Sequence, residues 1–106
     1  MSLYTVKMVS DILGIPSRQV TLSVEQGCVT PHCDETGRGN SRLFDAGDLS
    51  DVYTYYRLHR MGMAPRYIKK VLNCEISTNG DGLVALHIDS RAIYLYVKEL
   101  IEEWNG

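Results

Sequence analysis

Residues 17–27 read SRQVTLSVEQG. Ser17 predicts a helix N-cap and Gly27 a helix stop. Val20 and Val24 lie one turn apart and share a face. The preceding GIP, residues 14–16, is a tight turn. Upstream of it, Thr5 is a good N-cap, and Tyr4 and Val9 stand at hydrophobic-staple spacing. Val9, Ile12 and Leu13 form an apolar face that Gly14 terminates. The pattern predicts a first helix over 5–13 and a second over 17–25. Two short helices joined across a Gly-containing turn make a helix-turn-helix.

Further along, CVTPHCDETGRGNS (28–41) is rich in turn formers, with DETGRGN as the tip of a loop, and SRLF returns as a short strand. This is the pattern of a β wing attached to the helix pair. Asp45 caps a third helix, with Asp48 in capping-box position. Leu49, Val52, Tyr53, Tyr56 and Met61 supply its apolar stripe, and Gly62 ends it. Ala64–Pro65 opens a fourth helix whose buried face is Ile68, Val71 and Leu72. In CEISTNGDGLVALHID (74–89), NGDG between two apolar stretches predicts a β-hairpin. Asp89 or Ser90 then caps a last helix, with Ile93, Val97, Leu100 and Trp104 in a single apolar stripe.

Composition bounds the reading. The chain has 106 residues, the size of one small domain, with 44% hydrophobic and 23% charged residues. No apolar run approaches the roughly 20 residues that span a membrane, so no membrane partner is expected. The N-terminal MSLYTVKMVSD lacks the basic-then-apolar order of a signal peptide. Three cysteines, an odd count, fit a reducing compartment better than a disulfide framework. A cytoplasmic location is the expectation.

The net charge of −2 conceals an uneven distribution. Residues 1–44 balance, and 45–56 carry only acids, Asp45, Asp48 and Asp51. Residues 57–70 carry Arg57, Arg60, Arg66, Lys69 and Lys70 with no acid, and 71–106 sum to −4. Phosphate binding depends on such a local patch rather than on the total.

The order of these parts resembles the N-terminal DNA-binding domain of the MerR family of bacterial transcription regulators. The resemblance spans residues 4–72 and rests on YTVKMVSDILGIPSR, VEQGCVTP, GRGNSRLFDAGDL and RLHRMGMAPRYIKKVL. It implies a mainly α fold with a small β wing: a winged helix-turn-helix with an additional helix pair, followed by the β-hairpin and C-terminal helix. Residues 1–72 would be the DNA-binding domain, and 73–106 a dimerisation element. It also implies a homodimer that binds promoter DNA and distorts it, in a bacterial, nucleoid-associated setting. With no long segment after the first domain, a drug-sensing effector domain is not expected.

Carried over by position, Arg18 matches the second-helix Arg that touches DNA, and Arg42 matches the wing Arg, with Phe44 in place of the family's Tyr. Arg38 belongs to the wing tip, and Tyr67 lies near the start of the fourth helix, where the second wing meets phosphate. Ser17, Gln19 and Thr21 complete the second-helix candidates, and Arg57, Arg60, Arg66, Lys69 and Lys70 would supply positive charge. The apolar stripe of the last helix needs a partner surface of its own: Ile93, Val97, Leu100 and Trp104 are expected to pack across a two-fold axis, with packing back on the first and third helices as the alternative. The main departure is in the second helix. The family's Arg-Tyr-Tyr-Glu is replaced by Thr21, Leu22, Ser23 and Val24. Thr cannot make the bidentate guanine contact of an Arg, which is worth about 1–3 kcal/mol of discrimination.

That departure keeps a second class of function open. A MerR-like fold also serves protein-binding adaptors such as co-chaperone modulators, and Leu22 would suit a protein partner. Phage-type excision factors are a third class, though they usually lack the helix pair. Cys28, His32 and Cys33 form a C-x₃-H-C cluster without a second ligand pair, so no metal or other cofactor is expected. Cys28 replaces an apolar family position and is expected in the core. No nucleophile motif, phosphate loop or zinc-protease motif occurs, which argues against an enzyme.

Overall fold

The computed structural model describes residues 2–34, 42–73 and 88–104. Thr5 opens α1 (Val6–Leu13) by accepting the Met8 N–H on its hydroxyl at 3.3 Å. Val9, Ile12 and Leu13 are buried. Gly14 closes the helix at φ 67, a left-handed conformation that a side chain would strain. The turn then delivers α2 (Ser17–Glu25). Here Pro16, not Ser17, is the N-cap, and it offers no side-chain acceptor. Its backbone is extended, at φ −62 and ψ 140, which moves Ser17 one position inside the helix. Val20 is fully buried, and Val24 packs half-buried on the same core.

Past α2, the Ser23 carbonyl accepts both the Cys28 and Val29 N–H groups, turning the chain into β1 (Cys33–Asp34). β1 pairs antiparallel with β2 (Arg42–Leu43), Cys33 opposite Leu43 and Asp34 opposite Arg42. The loop tip expected between them lies outside the described residues, as do Arg38 and the hairpin expected over 74–87. Beyond β2, Phe44 exchanges two 2.8 Å backbone hydrogen bonds with Tyr4, tethering the strand to the start of the chain.

Asp45 and Asp48 form the expected capping box on α3 (Ala46–Arg60). Asp48 Oδ2 accepts the N–H of Asp45 at 3.0 Å and that of His32 at 2.8 Å, so the same carboxylate also holds the approach to β1. The buried face of α3 differs from the expected stripe. Leu49 and Val52 are buried as expected, but Tyr55 and Leu58 complete the face. Tyr53 and Tyr56 are half-buried, and Met61, past the helix end, is 73% exposed. A single-face stripe assumes one neighbour, whereas α3 packs against α1, α2, α4 and α5.

α4 (Pro65–Leu72) begins with Pro at its first turn, where a missing N–H costs nothing. It anchors through buried Ile68, with Val71 and Leu72 half-buried. Asp89 caps α5 (Ser90–Glu103) by accepting the Ala92 N–H. α5 lies on α3 and α1. Val97 is fully buried in the common core, and Ile93, Leu100 and Trp104 pack around it. Trp104 also meets Tyr4 edge-on, with ring centroids 6.3 Å apart. The four side chains expected across a two-fold axis are therefore used within the chain. The face that α5 turns to solvent carries Tyr94 and Leu95 instead, with Tyr96 beside them.

Candidate nucleic-acid interface

Positions 18, 21, 22 and 25 recur at helical spacing, so α2 presents Arg18, Thr21, Leu22 and Glu25 along one stripe. Opposite it, Val20 and Ser23 are buried. Arg18 and Glu25, at the two ends of the stripe, reach toward each other. Arg18 Nη1 lies 2.8 Å from Glu25 Oε2, with the side chains 66% and 46% exposed. Beneath that bridge, the Thr21 hydroxyl donates to the Arg18 carbonyl at 3.0 Å, and Leu22 is half-buried. Gln19 is turned the other way, with its Oε1 buried and without a hydrogen-bond partner among the described residues. Ser17 is exposed in the first turn.

α4 lies against the exit from α2. The Cys28 thiol donates to the Pro65 carbonyl at 3.3 Å, joining the two elements. Lys69 Nζ lies over Gly27, 3.6 Å from where a Cβ would stand. The same closeness marks the Cys28 thiol: burial pushes its pKa up, and the Lys69 charge offsets part of the rise. Arg66, Tyr67, Lys69 and Lys70 are all exposed on α4. The Arg66 guanidinium stands 4.9 Å from the Tyr67 ring centroid.

The other two cations of the basic segment are placed elsewhere. Tyr53, Tyr56, Arg57 and Arg60 share one outward stripe of α3, and each Arg lies back on the Tyr one turn before it. Arg57 Nη1 donates to the Tyr53 hydroxyl at 2.8 Å, and Arg60 Nη1 to that of Tyr56 at 3.0 Å. Both guanidinium groups also stand within 6 Å of the ring centroids, in cation–π range. Arg57 borders α5 rather than α4. The basic run of the sequence is thus divided between two helices: Arg66, Lys69 and Lys70 on α4, with Lys69 beside the exit from α2, and Arg57 and Arg60 on α3. The tyrosine partners were readable as Tyr-x₃-Arg spacing, twice over, in YTYYRLHR (53–60). Glu25 as the partner of Arg18 was not, because a seven-residue spacing on a helix is a weaker pairing signal than four.

Arg42 lies half-buried in β2. Nearby, the start of α3 is acidic. Asp51 has its pKa pushed up to about 6, by loss of hydration first and then by the charges of Asp48 and Asp45. His32 Nδ1 stands 3.5 Å from Asp45, while Cys28 is directed at Pro65, so the expected cysteine–histidine cluster is divided between separate partners. Among the described residues, no helix is long and apolar enough to cross a membrane.

The arrangement is a helix-turn-helix with a short basic helix set against the exit from its second helix. Residues 4–74 match the family model of the MerR HTH family regulatory proteins. The chain belongs to the MerR family. No curated protein matches it. MerR membership carries the coarser functional statement: a helix-turn-helix transcription regulator of the DNA-binding kind.

Proposed function

We propose that this MerR-family chain is a transcription regulator that binds promoter DNA as a homodimer in the bacterial cytoplasm. The observation that carries the reading is that α4 is held against the exit from α2, by Cys28 on Pro65 and by Lys69 over Gly27. In this reading Arg18, with Ser17 at the head of α2, faces the major groove. Arg66, Tyr67, Lys69 and Lys70 meet the flanking phosphates, and Arg42 reaches the backbone from β2. Gln19 and Thr21 add little to base readout, because one is turned inward and the other bonds its own helix. Affinity then rests on phosphate contacts, and specificity on Arg18 and DNA shape. Two α2 helices would enter successive major grooves about one helical turn apart.

Pairing of two chains is assigned to the outward side of α5, at Tyr94 and Leu95, since Ile93, Val97, Leu100 and Trp104 serve the chain's own core. The adaptor reading has one observation in its favour: α2 offers a charge-paired Arg18 where a base-reading helix wants unpaired cations. The half-buried state of Leu22 weighs against that adaptor surface.

The deciding experiment is binding to random-sequence duplex DNA at about 50 mM salt, repeated at higher salt. Clear binding that Arg18→Ala, Arg42→Ala and Lys69→Ala each weaken supports the proposal. Absence of binding at low salt transfers the chain to the adaptor class.

A further inference from the structure

A cleft of about 220 Å³ opens between α3 and α5, floored by Leu58 and Ile93. Its outer part is an adjoining, more open pocket of about 410 Å³, lined by Tyr53, Arg57, Ala92, Ile93 and Tyr96, which shares Tyr53, Arg57 and Ile93 with the first. Tyr53 and Tyr96 close one wall as a tilted pair, with ring centroids 5.5 Å apart. Among the described residues Arg57 is the one cation on the lining, and no carboxylate pairs with it. The acid at the far end, Asp89, has its carboxylate engaged on the Ala92 N–H as the α5 cap, and it does not border the outer part. A guanidinium has five N–H donors, of which Arg57 spends one on the Tyr53 hydroxyl.

We propose that this cleft binds a small flat aromatic carboxylate. The ring would lie against Ile93 and the Tyr96 face, and the carboxylate would take the remaining Arg57 N–H groups. The chemistry selects this class on three grounds. Aromatic and aliphatic walls favour an apolar planar body. A single guanidinium matches a single carboxylate through a pair of charge-assisted hydrogen bonds. A doubly charged phosphate would face that one cation with Asp89 close by, and its second charge would go unmatched. The ligand would bridge α3, which leads into α4, to α5. Occupancy would thereby tie the basic helix pair to the C-terminal helix. This inference is independent of DNA binding and of dimerisation, and it is tested with neither.

The test is titration of the full chain with 2-naphthoate, followed by calorimetry and by naphthoate fluorescence. Saturable one-to-one binding with Kd below about 1 mM is expected. Arg57→Met, which keeps the aliphatic stem and removes the charge, weakens it by about tenfold or more. Neutral 2-naphthalenemethanol binds more weakly than the carboxylate by a similar factor. Arg91→Met, which removes a cation from α5 outside the cleft, leaves affinity unchanged. Arg57 and Arg91 are exposed, so neither substitution disturbs the core. Lack of saturable binding at millimolar ligand overturns the proposal. Equal affinities of the Arg57→Met variant and the parent chain overturn it as well.

Discussion

Arg18 and Glu25 form a 2.8 Å ion pair along the outer stripe of α2, spanning Thr21 and Leu22. The cation best placed to meet DNA is thus half-neutralised by an acid on the same face. Exposed ion pairs of this kind are worth about 0–1 kcal/mol of stability, so the pair matters more for the field of the helix than for the fold. Glu25→Gln frees the guanidinium and removes a charge that repels phosphate. Affinity for duplex DNA at low salt is expected to rise about three- to tenfold, with thermal stability changed by less than about 1 kcal/mol. Fluorescence anisotropy with a labelled duplex, alongside a melting curve, checks both. A fall in affinity would show that Glu25 serves to aim Arg18 rather than to restrain it.

The division of the basic segment into two groups gives a sharper test, read from salt dependence. Each phosphate neutralised by a side chain contributes about one unit to the slope of log K against log salt. Lys69→Ala and Lys70→Ala are each expected to lower the slope by about one and to weaken binding uniformly across sequences. Arg57→Ala is expected to leave the slope unchanged, because its guanidinium lies on Tyr53 and borders α5. If all three variants lower the slope alike, the α3 stripe belongs to the DNA surface after all.

How far the sequence reveals this arrangement depends on whether the signal is local. Thr5, Gly14, Pro65 and the Asp45–Asp48 box mark helix ends through hydrogen bonds or backbone angles that involve neighbours in sequence, and each acts at its expected place. Ser17 misleads because Pro16, with its fixed φ, takes the cap position first. Tertiary surroundings are harder to read. Periodicity shows that α5 has an apolar stripe, but not whether that stripe meets its own chain or a second copy. Likewise it cannot rank Tyr53, Tyr55 and Tyr56, since burial on α3 follows from four neighbouring helices. The basic run suffers the same loss, because adjacent numbers on two helices turn out to face different elements.

The acidic start of α3 carries a pH signature. Asp51 has its pKa raised to about 6 by loss of hydration and by the charges of Asp48 and Asp45, and burial also raises that of Asp48. A carboxyl whose pKa is higher in the folded state favours folding when protonated. That contribution is fully present below the unfolded value near 4 and is lost as pH rises through about 6. Asp51→Asn removes the ionisation, so the variant is expected to be more stable than the parent at pH 7.5 and no more stable at pH 3.5. The Asp51 side chain keeps part of its contact with solvent although its carboxyl is partly dehydrated, and solvent screening keeps the gain small. Urea denaturation at the two pH values reads the difference. A gain that is the same at both would mean that the Asn acts through something other than charge.

Tyr55 is fully buried, yet its hydroxyl has no hydrogen-bond partner among the described residues. Burial pushes its pKa up, the Cys28 thiol adds to the rise, and Arg18 offsets part of it. The ring packs in the core and stacks on His59 at 5.3 Å, so its apolar surface holds α3 in place. The oxygen, by contrast, gives up its hydration without compensation, a cost of about 1–3 kcal/mol for a buried unpaired polar group. Tyr55→Phe keeps the ring and removes the orphan. It is expected to stabilise the chain by about 1 kcal/mol, a rise of roughly 4–8 °C in Tm for a domain of this size. Tyr55→Ala instead opens a cavity and is expected to cost about 3–5 kcal/mol, the range for loss of a large aromatic ring. Denaturation of the two variants beside the parent separates the roles of ring and hydroxyl. Destabilisation by the Phe substitution would show that the hydroxyl is partnered in solution, with an ordered water as the simplest bridge from it to another buried polar group.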